Sequence, residues 1–269
     1  MLSVPNANIF AMPESVGDPL VRFSDRAEDY AKYRPRYSHD VVQALQQACG
    51  LTAQHLIADV GCGTGLLAEV FLDNGNRVIG VEPNREMRLA GEQCMAGCAN
   101  FSMVEGSAES TTLEDASVDF VVAAQAFHWF RPAETRAEFA RILKPSGWAV
   151  LLWHSRDLQS TPFLRAYEAF LREYSNDYEQ VARSYLASYD ALQRFFAPNA
   201  VTLIQQRNQQ RLDFDGLRGR MLSSSYIPKS GERHEAMMQA LPQLFSAHAV
   251  DGRVVLEYDT KIYYGHLDR

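Results

Sequence analysis

Apolar and polar positions along the chain switch repeatedly between a short-run pattern and a helical one. Leu56 to Val60 is an apolar run broken by Asp59, and the apolar positions after Gly65 (Leu66, Leu67, Ala68, Val70) are spaced for a helix. Arg77 to Val81 is a second strand, and Asn84 caps a helix through about Cys94. Strands follow from Phe101 and over Ser117–Ala124, then a helix over Pro132–Leu143. The turn Lys144-Pro145-Ser146-Gly147 stops that helix ahead of a fifth strand, Trp148–Trp153. Strand alternating with helix predicts an α/β chain with a largely parallel sheet.

Before this series, Ser24 can cap a helix through Tyr33, and Arg34-Pro35 breaks it. Ser38 opens a second helix, which Gly50 ends. After it the pattern changes. Thr161 to Phe196 contains two helix-like segments rich in aromatics, among them Phe163, Tyr167, Phe170, Tyr174, Tyr185 and Tyr189. That spacing reads as a packing face of a lid inserted between strands. Val201–Arg207 is a sixth strand, Phe214–Leu222 and Glu232–Ala247 are helices, and Val254–Tyr264 is a closing strand.

The first strand–helix turn, Gly61-Cys62-Gly63-Thr64-Gly65, holds three glycines in five residues. Backbone N–H groups there can approach a ligand closely, at the positive end of the following helix. Asp59 stands where a parallel strand prefers Val or Ile. Glu82 ends the second strand, 21 residues after Gly61, a spacing suited to a carboxylate on both hydroxyls of a ribose.

Composition narrows the ligand. The net charge is −7, and the basic cluster Arg207–Arg211 is diluted by Gln and Asn, which disfavours a nucleic-acid partner. No apolar run approaches the ~18 residues of a membrane span, and the first residues lack a secretory pattern. Cys49, Cys62, Cys94 and Cys98 show neither disulfide nor metal spacing, so we expect a cytoplasmic protein without a metal site.

At these residues the chain resembles the class I S-adenosylmethionine-dependent methyltransferases. Asp59-x-Gly61-x-Gly63-x-Gly65 matches their first motif and Glu82 their second, whereas a dinucleotide dehydrogenase would want glycine at Leu66. The resemblance implies S-adenosylmethionine as cofactor. It also implies a Rossmann-like, doubly wound, mostly parallel seven-stranded sheet with helices on both faces, an N-terminal helical cap and a helical lid. The parts are then an arm and cap (1–37), a cofactor core (38–157), a lid insertion (158–200) and the rest of the sheet (201–269). Phe23 to Tyr37, with its Tyr-x-x-x-Arg-Pro-x-Tyr-like pattern centred on Tyr33–Tyr37, is similar to the cap of a branch that includes the trans-aconitate methyltransferases. By that resemblance Tyr33 and Arg34 lie over the methionine part of the cofactor, and the loop Ser107-Ala108-Glu109 lies along its adenine edge. Pro83, Met87, Gln125 and His128 complete the expected cofactor set.

The reaction implied is methyl transfer to a small-molecule acceptor, a carboxylate among the candidates. Gln125 to Phe130 leaves the carboxyl end of a central strand, where open α/β sheets hold ligands. His128, His154 and, more weakly, Tyr33 are candidate bases. Phe23, Trp129, Trp153, His154, Arg156 and Tyr226 are candidate acceptor contacts, and Arg34, Arg36, Arg156, Arg218 and Arg220 could hold an anion. A monomer or homodimer is expected. Two rivals stand: a nicotinamide-dependent oxidoreductase, and a protein that binds the cofactor without transfer.

Overall fold

The computed structural model describes residues 27–179 and 191–268. Phe23, the Ser24 cap, the irregular arm before it, and Tyr185 and Tyr189 of the expected lid lie outside the described residues. Two helices, α1 (Ala27–Tyr33) and α2 (Asp40–Cys49), precede the first strand. Gly50 ends α2 with φ 65°, its N–H bonded to the Leu45 carbonyl, as expected of glycine there.

The sheet has seven strands: β1 (Leu56–Val60), β2 (Arg77–Val81), β3 (Phe101–Val104), β4 (Val118–Ala124), β5 (Leu143–Arg156), β6 (Thr202–Leu212) and β7 (Val254–Gly265). Their order is β3-β2-β1-β4-β5-β7-β6. The first five are parallel, and β7 runs antiparallel to both β5 and β6. This is the mostly parallel sheet that the pattern predicted, in the Rossmann-like seven-stranded form that the resemblance implied.

Side-chain alternation builds a core on each face. Ile57, Val78, Phe120, Val122, Val150 and Leu152 point to α2 and to α3 (Ala68–Asp73). Ala58, Val121, Ala123, Leu151 and Trp153 point the other way, to α5 (Pro132–Ile142) and Phe195–Phe196. Between β2 and β3 lies α4 (Arg85–Cys94), capped by the Asn84 side chain, which accepts from the Met87 N–H.

Three boundaries differ from the sequence pattern. Helix α3 begins at Ala68, because Leu66 and Leu67 are buried within the turn itself. The Lys144–Gly147 turn lies inside β5, which pairs from Leu143 onward across an irregularity opposite Val118–Phe120. Strand β6 runs to Leu212, five residues beyond expectation, since it pairs along its whole length with β7. Polar alternation had hidden that edge strand.

Strands β5, β6 and β7 project past the end of β4, which pairs no further than Ala124 with Leu152. The projecting ends carry a third core with α6 (Pro162–Tyr174), α7 (Phe214–Leu222) and α8 (Glu232–His248). The spacing Phe163, Tyr167, Phe170 is indeed a packing face, all three being buried in this core. So the roof over the sheet draws on both the 162–178 segment and the 212–258 segment.

Helix α1 and the segment after it strap the roof to the cofactor-motif side, packing on both α4 and α7. Gln206, Asn208 and Gln210, alternate residues of β6, donate side-chain amides to the backbone carbonyls of Asp40, Arg36 and Tyr33 at 2.9, 3.0 and 2.8 Å. The Tyr33 ring lies on Gly219 of α7, where an added Cβ would stand 2.3 Å from Cε2. Gly219→Ala should therefore destabilise the protein by about 1–3 kcal/mol, read as a lower urea midpoint at unchanged slope.

Candidate functional site

The glycine turn follows β1 with Gly61 at φ 67° and Gly63 at φ 58°, a region side chains seldom adopt. Space is also short. A Cβ on Gly61 would meet Ala126 Cβ at 2.8 Å, and one on Gly63 would meet Met87 Cε at 3.1 Å. The Gly61 N–H bonds to the Val81 carbonyl at 2.8 Å, tying the turn to the end of β2.

Glu82 leaves β2 beside this turn. Its Oε2 accepts from the Gly63 N–H and its Oε1 from the Asn84 N–H, both at 2.9 Å. Burial raises the Glu82 carboxyl above its usual range, and these two N–H groups restrain the shift. Asp59, only 1% exposed, has neither carboxylate oxygen hydrogen-bonded among the described residues. Burial, reinforced by the nearby Glu82 charge and opposed by the Ala68 N–H, pushes it up to about 8. An acid held this way is costly to ionise unless a cation lies beside it.

Two adjacent cavities open at the carboxyl ends of these strands, sharing Tyr30, Gly61, Ala124 and Gln125. The larger, about 290 Å³, is lined by Gly61, Gly63, Glu82, Pro83 and Met87 on one side. On the other stand Ser107, Ala108, Glu109, Gln125 and Trp129. The smaller, about 50 Å³, meets Arg34, Tyr37, Asp59, His154, Arg220 and Tyr258.

Several of these side chains are locked in place. Gln125 adopts φ 54°, and its Nε2 donates to the His154 carbonyl at 3.0 Å. Its Oε1 is buried with no partner among the described residues. Such strain at a cavity wall persists only where the surroundings enforce it. Glu109 accepts from the Arg131 N–H at 2.9 Å, at the start of α5. The Arg34 guanidinium lies over the Tyr30 ring at 4.8 Å and donates to the Ser223 carbonyl at 3.0 Å.

His154 stacks on Tyr37 at 4.2 Å, and its Nδ1 lies 2.9 Å from the Thr260 hydroxyl, its cross-strand neighbour on β7. Burial, with Arg220 nearby, lowers its pKa to about 3, so the ring is neutral in the working range. Its Nε2 is buried without a partner among the described residues.

Other expected residues fall elsewhere. Tyr33 lines neither cavity. Tyr30, the first tyrosine of the Tyr-x-x-x-Arg-Pro-x-Tyr pattern, stands there instead, one helical turn earlier. Gly65 shapes the turn against Met95, with a Cβ position 3.0 Å from Met95 Cε, and lines neither cavity. His128 is buried in the Phe127–Trp129 helical turn beside Trp129, outside both linings, and burial holds it down to about 3. Trp153 belongs to the core, edge-on to Phe127 at 6.1 Å and to Tyr263 at 5.8 Å, because it alternates out of phase with His154. Arg156 pairs with Glu168 at 3.1 Å and donates to the Tyr178 hydroxyl at 2.8 Å within the roof. Tyr226 packs edge-on to Tyr178 in the same cluster, and the Arg156 and Arg220 charges outweigh its burial to bring it down to about 8. Arg36 pairs with Glu69 and Arg218 with Asp215, both part-exposed.

The residues that pattern reasoning missed are Tyr30, Tyr258 and Thr260. Tyr30 was legible from the spacing to Arg34. The other two carry no sequence signal, because only the pairing of β7 with β5 brings them to the site.

Residues 58–151 match the family model for methyltransferase domains. An uncharacterized methyltransferase of Mycobacterium tuberculosis (strain H37Rv) is 35% identical over 140 residues, 52% of this chain and 55% of its own length. An uncharacterized methyltransferase-like protein of Schizosaccharomyces pombe is 30% identical over 159 residues, 59% of this chain and 60% of its own. The chain thus spans little more than half the length of these relatives. A proposed type II methyltransferase from Anaeromyxobacter dehalogenans has the same fold, with TM-score 0.64 over 88% of this chain and 99% of its own, at 18% identity. A proposed methyltransferase of antibiotic biosynthesis from Anabaena variabilis aligns at TM-score 0.59 over 85% and 97%, at 21% identity. The glycine turn and both buried acids thus lie within the segment that matches the methyltransferase-domain model.

Proposed function

We propose that this protein transfers a methyl group from S-adenosylmethionine to a small-molecule acceptor. The observation that carries this reading is the pair of buried carboxylates at adjacent strand ends. Glu82 is held by two backbone N–H groups, and Asp59 is held by none among the described residues that meets hydrogen-bond geometry. These residues fit the cofactor. Each Glu82 oxygen keeps accepting capacity for a ribose hydroxyl, and Asp59 offers a charge to the methionine ammonium. When bound, the cofactor supplies an activated methyl on a positively charged sulfur.

The chain's own residues then orient and shield. Gly63 lets the backbone come close, Met87 and Ala108 flank the larger cavity, and Tyr30 and Trp129 cover it. Gln125, strained into place between the two cavities, fixes their junction. Alignment of this kind supplies up to ~7–11 kcal/mol of a displacement barrier, so no catalytic dyad is required. The narrow second cavity and the net charge of −7 support a small acceptor rather than a nucleic acid. The four cysteines are thiols, in keeping with a reducing, cytoplasmic setting. The family model, the relatives and the solved structures named above all carry methyltransferase descriptions, and none of them supports the dinucleotide reading. Transfer of labelled methyl separates an enzyme from a protein that only binds.

Calorimetric titration with S-adenosylmethionine and S-adenosylhomocysteine should show micromolar binding, and a folded protein that binds neither overturns the proposal. Glu82→Ala should weaken S-adenosylhomocysteine by about 1–3 kcal/mol, through loss of charged hydrogen bonds.

Asp59 gives a second prediction. Its folded-state pKa of about 8 lies above the ordinary 3.8 of a solvated Asp, so the native state holds the extra proton between those limits. Its contribution to stability is therefore full at low pH and is lost as pH rises from about 4 to about 8. Asp59→Asn should flatten that loss, melting a few degrees above the wild type at pH 8, while binding the cofactor more weakly. Equal melting of the two proteins across this range would show that Asp59 is not buried as an uncompensated acid.

A further inference from the structure

Arg88 lies on α4 and lines neither cavity, yet its side chain is only 13% exposed. Its Nη1 donates to the Glu82 and Pro83 carbonyls, both at 2.8 Å, and its Nη2 donates to Glu105 Oε2 at 2.6 Å. β2 ends at Val81, so those two carbonyls stand past the end of the strand, and the guanidinium supplies the donor they need. Glu105 directly follows β3. One side chain therefore ties together the exits of two adjacent strands, and it spends most of its bonding on the backbone of the residue that carries the ribose carboxylate.

The Glu82 side chain is aimed by the Gly63 and Asn84 N–H groups, and its own N–H bonds to the Val104 carbonyl at 3.2 Å. Arg88 completes this frame at the Glu82 carbonyl. It also supplies charge. Burial raises the Glu82 carboxyl, the two N–H groups oppose that rise, and the Arg88 guanidinium opposes it as well. Asp59 of β1 and Cys62 of the glycine turn face the same carboxylate. Burial pushes Asp59 up to about 8 and Cys62 well above its ordinary range, so both are mostly neutral near pH 7. Among the described residues, Arg88 is left as the positive charge that acts on Glu82.

Resting on the methyltransferase reading above, we propose that Arg88 is a positioning residue for the ribose of the cofactor. It touches no ligand and acts through Glu82, holding the strand exit that carries the carboxylate and placing a positive charge near it. Hydrogen bonds weaken steeply away from good geometry, so a loosened Glu82 backbone weakens both ribose contacts at once. Without the Arg88 charge the carboxyl rises further, and the ionised acceptor persists over a narrower pH range. Glu105, 77% exposed, is the outer end of the same chain of contacts, where an ion pair contributes little.

The test is calorimetric titration of the full chain from pH 5 to pH 8 with S-adenosylhomocysteine and with 5′-methylthioadenosine, which keeps the ribose but lacks the amino acid end. Arg88→Met should weaken both ligands alike, by about 10-fold, and Arg88→Lys, which keeps the charge but loses the fork, should fall between. Glu105→Gln should stay within about twofold of wild type. As pH falls and Glu82 takes up its proton, affinity should drop, and in Arg88→Met that drop should begin at higher pH. In a Glu82→Gln background, Arg88→Met should cost less than about threefold more, because the group it acts through is gone. Where Arg88→Met melts below the assay temperature, Arg88→Lys stands in, and its weakening must likewise vanish in the Glu82→Gln background. Any of four results overturns the proposal: wild-type affinity in Arg88→Met, a loss confined to S-adenosylhomocysteine, an unmoved pH profile, or an equal loss with Gln at position 82. Each of them leaves the methyltransferase reading intact. Wild-type protein that binds neither S-adenosylmethionine nor S-adenosylhomocysteine removes that reading as well.

Discussion

The Glu82 carboxylate holds two βα turns at once. One oxygen is bonded to the Gly63 N–H after β1 and the other to the Asn84 N–H after β2. Buried at 8% exposure, such a group is costly unless it is hydrogen-bonded, and the two N–H donors engage one lone pair on each oxygen. The consequence is a pair of turns fixed relative to each other before any ligand arrives. The Gly61 N–H, bonded to the Val81 carbonyl, reinforces the same junction from the backbone. Next to it, Asp59 has no such compensation, and the site keeps an electrostatic deficit that folding alone does not settle.

The other half of the site depends on strand length. β5, β7 and β6 continue past β4 and lift His154, Thr260 and Tyr258 above the sheet. The helices between β6 and β7 then close over them, bringing Arg220 down from α7. Alternate amides of β6 hold the chain from Tyr33 to Asp40 against this roof, so the Arg34-containing segment is fixed by an edge strand far from it in sequence. An edge strand with paired polar side chains is also protected from pairing with other chains.

Much of this was legible from residue order. Asp59, the glycines and Glu82 lie within one βαβ unit, where local turn chemistry and strand periodicity decide position, and the cavity residues from Gly61 to Gln125 follow from it. The exceptions are instructive. Trp153 sits at the right strand end but points into the core, because one step in a period-two pattern reverses a side chain, and His128 is buried in the helical turn Phe127–Trp129 that follows β4. Tyr33 gave way to Tyr30 for the helical equivalent of that reason: the ring at Tyr33 meets Gly219 of α7, and Tyr30 faces the cavities.

The sequence by itself determined the class of fold, the glycine turn and the acids that flank it, since these rest on contacts between near neighbours in the chain. Tertiary structure alone decided which arginine is neutralised and which is not. Arg156 and Arg220 are alike in composition and neighbours in space, but only Arg156 lies within reach of Glu168. Arg156 lies on β5 and meets Glu168 of α6, whereas Arg220 lies on α7 and meets Tyr258 and Ser224, and packing between elements so placed leaves no periodic trace in the chain.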